Sequence, residues 1–561
     1  MTANSNQSPS APFTVCEPAR TREPGAIRQI GEAIIFLSMA VIGFRAFVAE
    51  GYMISTGSMA PCLLGFHRQV VCPDCAYAFS RGTRYDIDDT ILAEGESSDI
   101  GVSEATETIC PNCGLTGINV NSVPRNEGDQ LLVHKHFYQF RSPRRWEVVV
   151  FRHPAEPDQA YVKRVAGLPG EQVELIEGDV VVDGVLQRKS LTVQRSMRIG
   201  VYDNDFEPLD EEWHPRWETT DLQTQWQADG NRFLYESNSG SSEATESIDW
   251  LAYRHWIRRG GHHSTSVDLQ HWPLSGRSPG SFEPSLTFDE ITGKLSCTGV
   301  LPAFVAHRLL NASNDAAFQT AVSQLAEQSH IGQITDVYGY NHPQSARVSY
   351  PVHDLMLSAK IEHVAGDGEF HIRMTDGWHW FETVFDFKAH EARLLVDNAD
   401  APLHTAALPS SMVNGEGLIE MSTFDRQILV AVDGQELFPP LQYAAKAVPR
   451  SQPLEPVLIG AEGVELVVNQ LQLYRDVYYT PKDAGNHEHP ITVGAEELMV
   501  LGDNSPVSVD SRSWESPTIP QNLLIGKPFI VHLPSQQERV QIGSQVHHIR
   551  IPDFTRVRYI H

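Results

Sequence analysis

The apolar positions divide the chain into one short helical segment near the start and many short strands. The uncharged run 33–44 has no counterpart elsewhere in the sequence. Most other apolar runs are short, rich in β-branched and aromatic residues, and closed by Gly, Pro, Asn or Asp, which is typical of strands. Within 315–328, Phe318, Val322 and Leu325 form a helical stripe. The pattern therefore predicts a mainly β protein with few helices.

The apolar run 33–44 is bounded by Glu32 and Arg45. It is shorter than the roughly 20 residues that span a bilayer. The longer segment 30–50 can form one transmembrane anchor if both charged side chains reach toward the interfaces. A cleaved signal peptide and a buried helix are the alternatives. For an anchor, the three arginines within 20–28 predict a cytoplasmic N-terminus and an extracytoplasmic remainder.

Length and charge limit the possible classes of protein. The 561 residues are too many for one ordinary core, so two to four domains are expected. Lys and Arg number 43 against 71 Asp and Glu, which gives a net charge of −28. Such an acidic chain repels phosphate backbones, and no nucleic-acid partner is predicted.

Four of the seven cysteines form two Cys-Pro-x-Cys pairs. The pairs are Cys72 with Cys75 and Cys110 with Cys113. Two such knuckles suit a tetrahedral structural Zn²⁺, so we expect a zinc-ribbon-like insertion over 69–120. They enclose 34 residues, more than in a simple ribbon, and two disulfides are the alternative in an oxidising compartment. A catalytic zinc is not expected, because four cysteine ligands leave no open position.

Four separate segments combine residue types that suit nucleophilic catalysis. Glycine at 57 permits a sharp turn that exposes the Ser58 hydroxyl. Lys163 shares one face of a predicted strand with Tyr161 and Val165. A lysine on an apolar face can have its pKa lowered until it acts as a base, whereas a solvent-facing lysine is the structural alternative. The four segments are 52–61, 128–133, 161–171 and 497–514.

In this order, behind an apolar segment, the four segments resemble the type I signal (leader) peptidases, which are membrane-anchored serine peptidases with a Ser–Lys dyad. The resemblance covers 30–61, 128–171 and 497–532. It implies a signal-peptidase-type β core behind one transmembrane helix. The matching blocks are Ser-Thr-Gly-Ser-Met-x-Pro around Ser58, Gly-Asp-x-x-x-Val at Gly128, Tyr-Val-Lys-Arg-Val-x-Gly-Leu-Pro-Gly-Glu around Lys163 and Gly-Asp-Asn…Ser-x-Asp-Ser-Arg at Gly502.

The resemblance implies a role for each matching residue and no cofactor for catalysis. Ser58 would be the nucleophile and Lys163 the general base. Thr56 would form the oxyanion hole with the backbone N–H of Ser58. Ser508 would orient the lysine amine, with Tyr161 in support. The other supporting residues would be the ion pair Asp510 and Arg512 and the structural turn Gly502, Asp503 and Asn504.

Two insertions divide the predicted peptidase core. The second, over 191–490, is predicted to be mixed and then β-sandwich-like, and its run 424–438 weakly resembles concanavalin-like jelly-roll domains. The predicted organisation is a disordered cytoplasmic tail 1–29, the anchor 30–50, core segments 51–68, 121–190 and 491–561, and the insertions 69–120 and 191–490.

The function implied by the resemblance is removal of N-terminal signal peptides from exported preproteins at the cell membrane. The partners would be these preproteins, membrane lipid and the export machinery. A catalytically decayed scaffold that binds envelope components through its sandwich is the non-enzymatic alternative. A self-cleaving repressor also uses a serine and a lysine, but no DNA-binding helix-turn-helix is evident in the sequence.

Overall fold

The computed structural model describes most of the chain. The protein is mainly β, as predicted, with 41% of the described residues in strands and 15% in helices. Of the predicted disordered tail 1–29, residues 1–25 lie outside the described residues, and 26–29 are helical rather than disordered. The described residues are 26–83, 106–210, 213–221, 223–236, 248–258, 264–341, 349–413, 415–481, 490–542 and 545–560.

Residues 1–50 and 51–561 form two separate compact units. The first contains helix α1 (Ala26–Phe47), and most of its apolar side chains over 27–42 are exposed. Among the residues that the structure describes, no helix is long and apolar enough to cross a bilayer. The transmembrane anchor predicted over 30–50 stays a prediction.

The described part of the second unit has five short α-helices and the strands of several antiparallel sheets. The helices are α2 (Phe137–Phe140), α3 (Leu191–Met197), α4 (Ala303–Leu310), α5 (Ala316–Gln328) and α6 (Ser410–Val413). Up to residue 186 the strands are β1 (Ala49–Met53), β2 (His67–Val71), β3 (Ala78–Gly82), β4 (Glu107–Thr108), β5 (Ile118–Asn119), β6 (Arg125–Asn126), β7 (Gln130–His134), β8 (Val148–His153), β9 (Glu156–Gly167), β10 (Gln172–Ile176), β11 (Asp179–Val182) and β12 (Val185–Leu186).

Half of the described strands lie in the middle of the chain. From 199 to 298 they are β13 (Ile199–Asp203), β14 (Trp217–Thr219), β15 (Trp226–Asp229), β16 (Arg232–Glu236), β17 (Asp249–Tyr253), β18 (Ser264–Asp268), β19 (Leu286–Asp289) and β20 (Lys294–Thr298). From 355 to 475 they are β21 (Leu355–Ala365), β22 (Glu369–Thr375), β23 (Trp380–Asp386), β24 (Glu391–Val396), β25 (His404–Ala407), β26 (Glu416–Ser422), β27 (Gln427–Val432), β28 (Gln435–Glu436), β29 (Leu441–Gln442), β30 (Val457–Glu462) and β31 (Glu465–Arg475). The last are β32 (Ile491–Thr492), β33 (Glu497–Leu501), β34 (Ile519–Pro520), β35 (Leu524–Val531), β36 (Ser535–Ile542), β37 (Gln545–Pro552) and β38 (Arg558–Tyr559).

An eight-stranded sheet carries Lys163, the predicted general base, on β9. Its order is β1-β7-β35-β8-β9-β33-β34, and β38 pairs with β35. Residues 148–151 of β8 are buried on both faces, which explains the uninterrupted apolar run in the sequence. In β9, Lys163 lies opposite Val149 of β8, and Arg164 lies opposite Leu501 of β33. The sheet therefore brings together segments that are far apart along the chain.

Two further sheets, one of nine and one of seven strands, share one hydrophobic core between residues 199 and 475. One has the order β15-β16-β31-β21-β26-β27-β28, with β13 on β31 and β29 on β27, and the other has the order β14-β17-β30-β22-β23-β24-β25. Alternate residues of β22, namely Phe370, Ile372 and Met374, point into this core, as the period of two in a half-buried strand requires. The apolar faces of the two sheets therefore pack on one core, and we call this part of the chain the sandwich-like region.

Helix α5 confirms the helix predicted within 315–328. The Asp315 carboxylate caps it by accepting hydrogen bonds from the N–H groups of residues 317 and 318. Phe318, Val322 and Leu325 are buried against α4 and the three-stranded sheet β18-β20-β19. The helical stripe therefore faces a small core outside the two large sheets.

Candidate active site

Ser58 lies in a one-turn 3-10 helix, Gly57–Met59, which we call the serine turn. The turn follows β1 directly, and the buried side chain of Met59 anchors it in the core. Ser58 itself is half-buried. At the start of such a helix the backbone N–H groups lack intrahelical acceptors, so the Ser58 N–H has no carbonyl partner within the turn.

Lys163 is the nearest basic side chain to the serine. Its Nζ lies 2.6 Å from Ser58 Oγ and donates a hydrogen bond to it, although 105 positions separate the two residues along the chain. Only 3% of Lys163 is exposed. Tyr161 and Val165, on the same face of β9, contact one apolar cluster, as the sequence pattern predicts. The Tyr161 hydroxyl donates to Glu156 Oε2 at 2.6 Å.

The predicted structural turn Gly502, Asp503 and Asn504 packs directly against the serine turn. The Asn504 N–H donates to the Ser58 carbonyl at 3.0 Å, and its Nδ2 donates to the Gly57 carbonyl at 2.9 Å. A Cβ at Gly502 would lie 2.5 Å from the Ser58 carbonyl oxygen. Glycine is therefore required at 502 by this close approach.

Asp510 and Arg512 form a buried bidentate ion pair, with N–O distances of 2.7 and 2.8 Å. Burial raises the pKa of Asp510, but Arg512, the Gly502 N–H and the Ser508 hydroxyl together lower it to about 2. Ser508 is completely buried beside this carboxylate. The structure thus brings Ser508 and the ion pair next to the Gly-Asp-Asn turn, while their roles stay predictions.

A second buried ion pair was not foreseen from the sequence. Arg164 Nε and Nη2 donate to the two carboxylate oxygens of Asp503 at 2.8 and 2.6 Å. Burial alone would lower the pKa of Arg164, but Asp503 outweighs it and the pKa is raised. Alternation along the strand places Arg164 on the face opposite Lys163. A second basic residue directly after the candidate base is the sequence feature that could have indicated this ion pair.

Among the predicted site residues, Thr56 is the one whose proposed role has the least support from the structure. It is exposed at the N-terminal end of the serine turn, and its hydroxyl does not cap the turn. Cys62 and Ser505, which lie close to the two turns, are both used in packing. Burial, followed by the charge of Asp503, raises the pKa of the Cys62 thiol to about 11, and Ser505 Oγ accepts a hydrogen bond from Arg512 at 2.6 Å.

The two cysteine pairs meet in one buried cluster. Their Sγ atoms lie within 4.8 Å of one another, and each of these cysteines is free rather than disulfide-bonded. The Sγ–Sγ distances are 3.7 Å for Cys72 to Cys113 and for Cys75 to Cys110. Tetrahedral Zn²⁺ with bonds of 2.3 Å requires a separation of about 3.8 Å, so the four thiols fit this ion.

The two knuckles have matching backbone geometry. Cys72 N–H donates to the carbonyl of residue 77, and Cys110 N–H donates to that of residue 115, both at 2.9 Å. The residue after each pair, Ala76 or Gly114, has a positive φ of 61° or 73°. Both turns therefore direct two thiols toward one point.

Comparison with known proteins finds one part of this chain similar to a family. Residues 119–243 match the family described as signal peptidase, peptidase S26. This segment of the chain is similar to signal peptidases. The match includes the blocks at Gly128 and Lys163, and it confirms the predicted resemblance to these peptidases. It does not extend to Ser58 or to Gly502.

Curated relatives agree over short stretches. Signal peptidase I of Leptolyngbya laminosa is 42% identical over 64 residues, which are 10% of this chain and 31% of that protein. Signal peptidase I of Pseudomonas aeruginosa is 36% identical over 86 residues, 13% of this chain and 30% of that protein. The chain thus spans about a third of the length of these relatives.

Similarity to a solved carbohydrate-binding module is low. The carbohydrate binding module CBM66 from Bacillus subtilis has a TM-score of 0.18 and 11% identity over 21% of this chain and 74% of that chain. A TM-score this low establishes no shared fold. The resemblance of 424–438 to concanavalin-like domains therefore stays a prediction.

Proposed function

We propose that this protein is a serine endopeptidase that removes N-terminal signal peptides from preproteins, with Ser58 as nucleophile and Lys163 as general base. The observation that carries the proposal is the 2.6 Å separation between Ser58 Oγ and Lys163 Nζ. A nucleophile and its base must lie within hydrogen-bond reach. The similarity of residues 119–243, which include Lys163, to signal peptidases supports the choice of substrate.

In the proposed reaction, Ser58 Oγ attacks the carbonyl carbon of the scissile peptide bond, and its proton moves to Lys163 Nζ. The tetrahedral intermediate collapses, the C–N bond breaks, and Lys163 gives the proton to the leaving amine of the mature protein. Water then attacks the acyl ester while Lys163 accepts its proton. The signal peptide leaves with a new carboxyl group, and the proton returns to Ser58.

The base must be uncharged before each attack. Burial disfavours an ammonium ion, and Lys163 is almost completely removed from solvent. The Ser58 N–H at the start of the serine turn supplies one oxyanion donor, and Thr56 is the proposed second donor. A donor of this kind is worth roughly 3 to 4 kcal/mol of barrier.

We further propose that Cys72, Cys75, Cys110 and Cys113 hold one structural Zn²⁺, which when bound would crosslink the two knuckles. All four thiols would be ligands, so no position is open for catalysis. We expect one zinc per purified chain by elemental analysis. A Cys110→Ser variant should lose the metal, and an equally stable metal-free wild type would contradict this part of the proposal.

Membrane association is a separate part of the proposal. Apolar side chains such as Ile35, Phe36 and Ile42 are exposed on α1, and burial in lipid would remove this surface from water. In a flotation assay, the full chain should rise with phospholipid vesicles, and a chain beginning after residue 50 should not. Equal flotation of both would reject a role for α1.

The decisive experiment incubates the purified full chain with a preprotein that carries a signal peptide, and sequences the new N-terminus of the product. The wild type should cut at one site after small residues. Ser58→Ala and Lys163→Met should leave the preprotein intact. Lys294→Met is the matched control, because Lys294 is exposed on β20 and remote from Ser58 in the sequence, with only a surface ion pair to Asp268.

Cleavage by Ser58→Ala at the wild-type rate would reject the assignment of the nucleophile. Failure of the wild type to cleave any of several preproteins, with intact folding, would instead favour the decayed envelope-binding scaffold.

A further inference from the structure

A segment of the large insertion reaches the serine turn. It runs from Asp336 to Asn341, between α5 and β21 in the chain. Its base is closed by two hydrogen bonds, from the Asp336 N–H to the Tyr350 carbonyl at 2.9 Å and from the Tyr350 N–H to Asp336 Oδ1 at 2.8 Å. We call residues 336–341 the insertion segment. The match to the signal peptidase family covers residues 119–243, so the insertion segment lies outside that match.

The end of the insertion segment contacts the Gly-Asp-Asn turn through a reciprocal amide pair. Asn341 Nδ2 donates to Asn504 Oδ1, and Asn504 Nδ2 donates to Asn341 Oδ1, both at 2.7 Å. Asn504 is completely buried and also bonds the carbonyls of Gly57 and Ser58. A continuous chain of hydrogen bonds therefore joins Asn341 to the backbone on both sides of the serine.

Two tyrosines of the insertion segment make further contacts around the same site. The Tyr338 hydroxyl donates to the Asp503 carbonyl at 2.5 Å. The Tyr340 hydroxyl donates to the Phe66 carbonyl at 3.1 Å. A Cβ at Gly57 would lie 2.2 Å from the Tyr340 ring, so the ring occupies the space in front of this glycine. The serine turn is thus bounded on one side by residues of the insertion.

We propose that the insertion segment is a structural part of the active site, and that Asn341 is a positioning residue that acts through Asn504 on Ser58. The proposal rests on the proposed peptidase function. Asn504 is buried, so water cannot replace the hydrogen bonds that its side chain loses when the Asn341 amide is removed. The unpaired polar atoms of Asn504 then favour a rearrangement of its side chain. Asn504 fixes the carbonyls of residues 57 and 58, and a rearrangement there displaces Ser58 Oγ from Lys163 Nζ.

The test is Asn341→Ala, measured by steady-state cleavage of a preprotein. We expect kcat to fall on the order of tenfold to a hundredfold with KM nearly unchanged, as for a displaced catalytic group. Asn504→Ala should cost at least as much, and the double variant no more than Asn504→Ala alone. Asn522→Ala is the matched control, because Asn522 is exposed in a different turn.

A second readout does not depend on peptidase activity. Hydrogen exchange of a peptide covering the serine turn should accelerate in Asn341→Ala, while a peptide covering α5 should exchange as in the wild type. Wild-type kcat together with wild-type exchange at the serine turn would overturn the proposal. Acceleration that is equal at α5 and at the serine turn would show general destabilisation and would also overturn it. If the wild type cleaves no preprotein, the exchange result still decides the positioning role.

Discussion

Two buried lysines occupy different regions of this molecule, and only one of them lies next to a hydroxyl. Lys163 in the core sheet and Lys189, before α3, are each 3% exposed. Lys163 contacts the neutral oxygen of Ser58. Lys189 Nζ instead donates to Asp425 at 2.6 Å and to Asp476 at 2.8 Å.

The electrostatic consequences differ accordingly. Burial alone would lower the pKa of Lys189, but Asp425 and Asp476 outweigh it and raise the pKa well above its usual value. Lys189 is therefore a permanent cation that joins the chain before α3 to residues of the sandwich-like region. The comparison teaches that burial by itself does not make a lysine a base, because the partner decides which form is stable.

The largest effect is expected for Lys163→Met. Single-turnover cleavage should slow by roughly 10²–10⁴-fold, the usual contribution of a general base. Lys163→Arg should be equally slow, because a guanidinium stays charged and cannot accept the proton. Urea unfolding should show that both variants remain folded. Near wild-type cleavage by Lys163→Arg would remove the distinction between the two lysines.

Lys189→Met should have the opposite profile. Removing one partner of a buried ion pair leaves uncompensated carboxylates, which costs roughly 3–5 kcal/mol of unfolding free energy. Cleavage per folded molecule should stay close to that of the wild type. The comparison would be wrong if stability were unchanged while catalysis was lost.

Asp510 offers a smaller, pH-dependent test of the same idea. Its pKa is lowered to about 2, so its contribution to stability is present above the usual carboxyl pKa and is lost as pH falls toward 2. For a usual value of 3.8 the contribution is about 2.5 kcal/mol. Unfolding free energy measured between pH 5 and pH 2 (roughly the window of this titration) should fall less steeply in Asp510→Asn. Parallel curves for the two proteins would exclude the ion pair as the cause.

The smallest expected effect concerns Cys62, because the alkylation rate of its thiol tests the burial of this residue directly. With its thiol pKa raised to about 11, alkylation by iodoacetamide near neutral pH should be on the order of a hundredfold slower than for a free cysteine. Mass spectrometry of the peptide that contains Cys62 measures this rate. Rapid alkylation in the folded protein would show that this part of the site is open to water.

Local sequence was informative wherever a residue acts through its immediate backbone. The turn at Gly57 and Ser58, the strand face of Lys163 and the helical stripe of α5 all depend on short-range geometry. The sheet order could not be read in the same way, because β35 pairs with β7 and β8 from almost 400 positions away. Such pairings depend on tertiary packing rather than on local pattern.

The contacts that the sequence did not predict are also long-range. Arg164 pairs with Asp503, 339 positions away, and Asn341 pairs with Asn504 across 163 positions. The residues next to Arg164 and Asn341 in the sequence do not indicate which distant residue each of them contacts. The role of the apolar segment near the N-terminus stays a prediction, since its uncharged run is short and is closed by Glu32 and Arg45.

The most direct test of the central claim is acid trapping of the covalent intermediate. The full chain is mixed with a preprotein, quenched within the first turnover, and digested for mass spectrometry. The account predicts an acyl group on the peptide that contains Ser58, absent from Ser58→Ala and from Lys163→Met. An acyl group on another residue, or continued cleavage by Ser58→Ala, would contradict it.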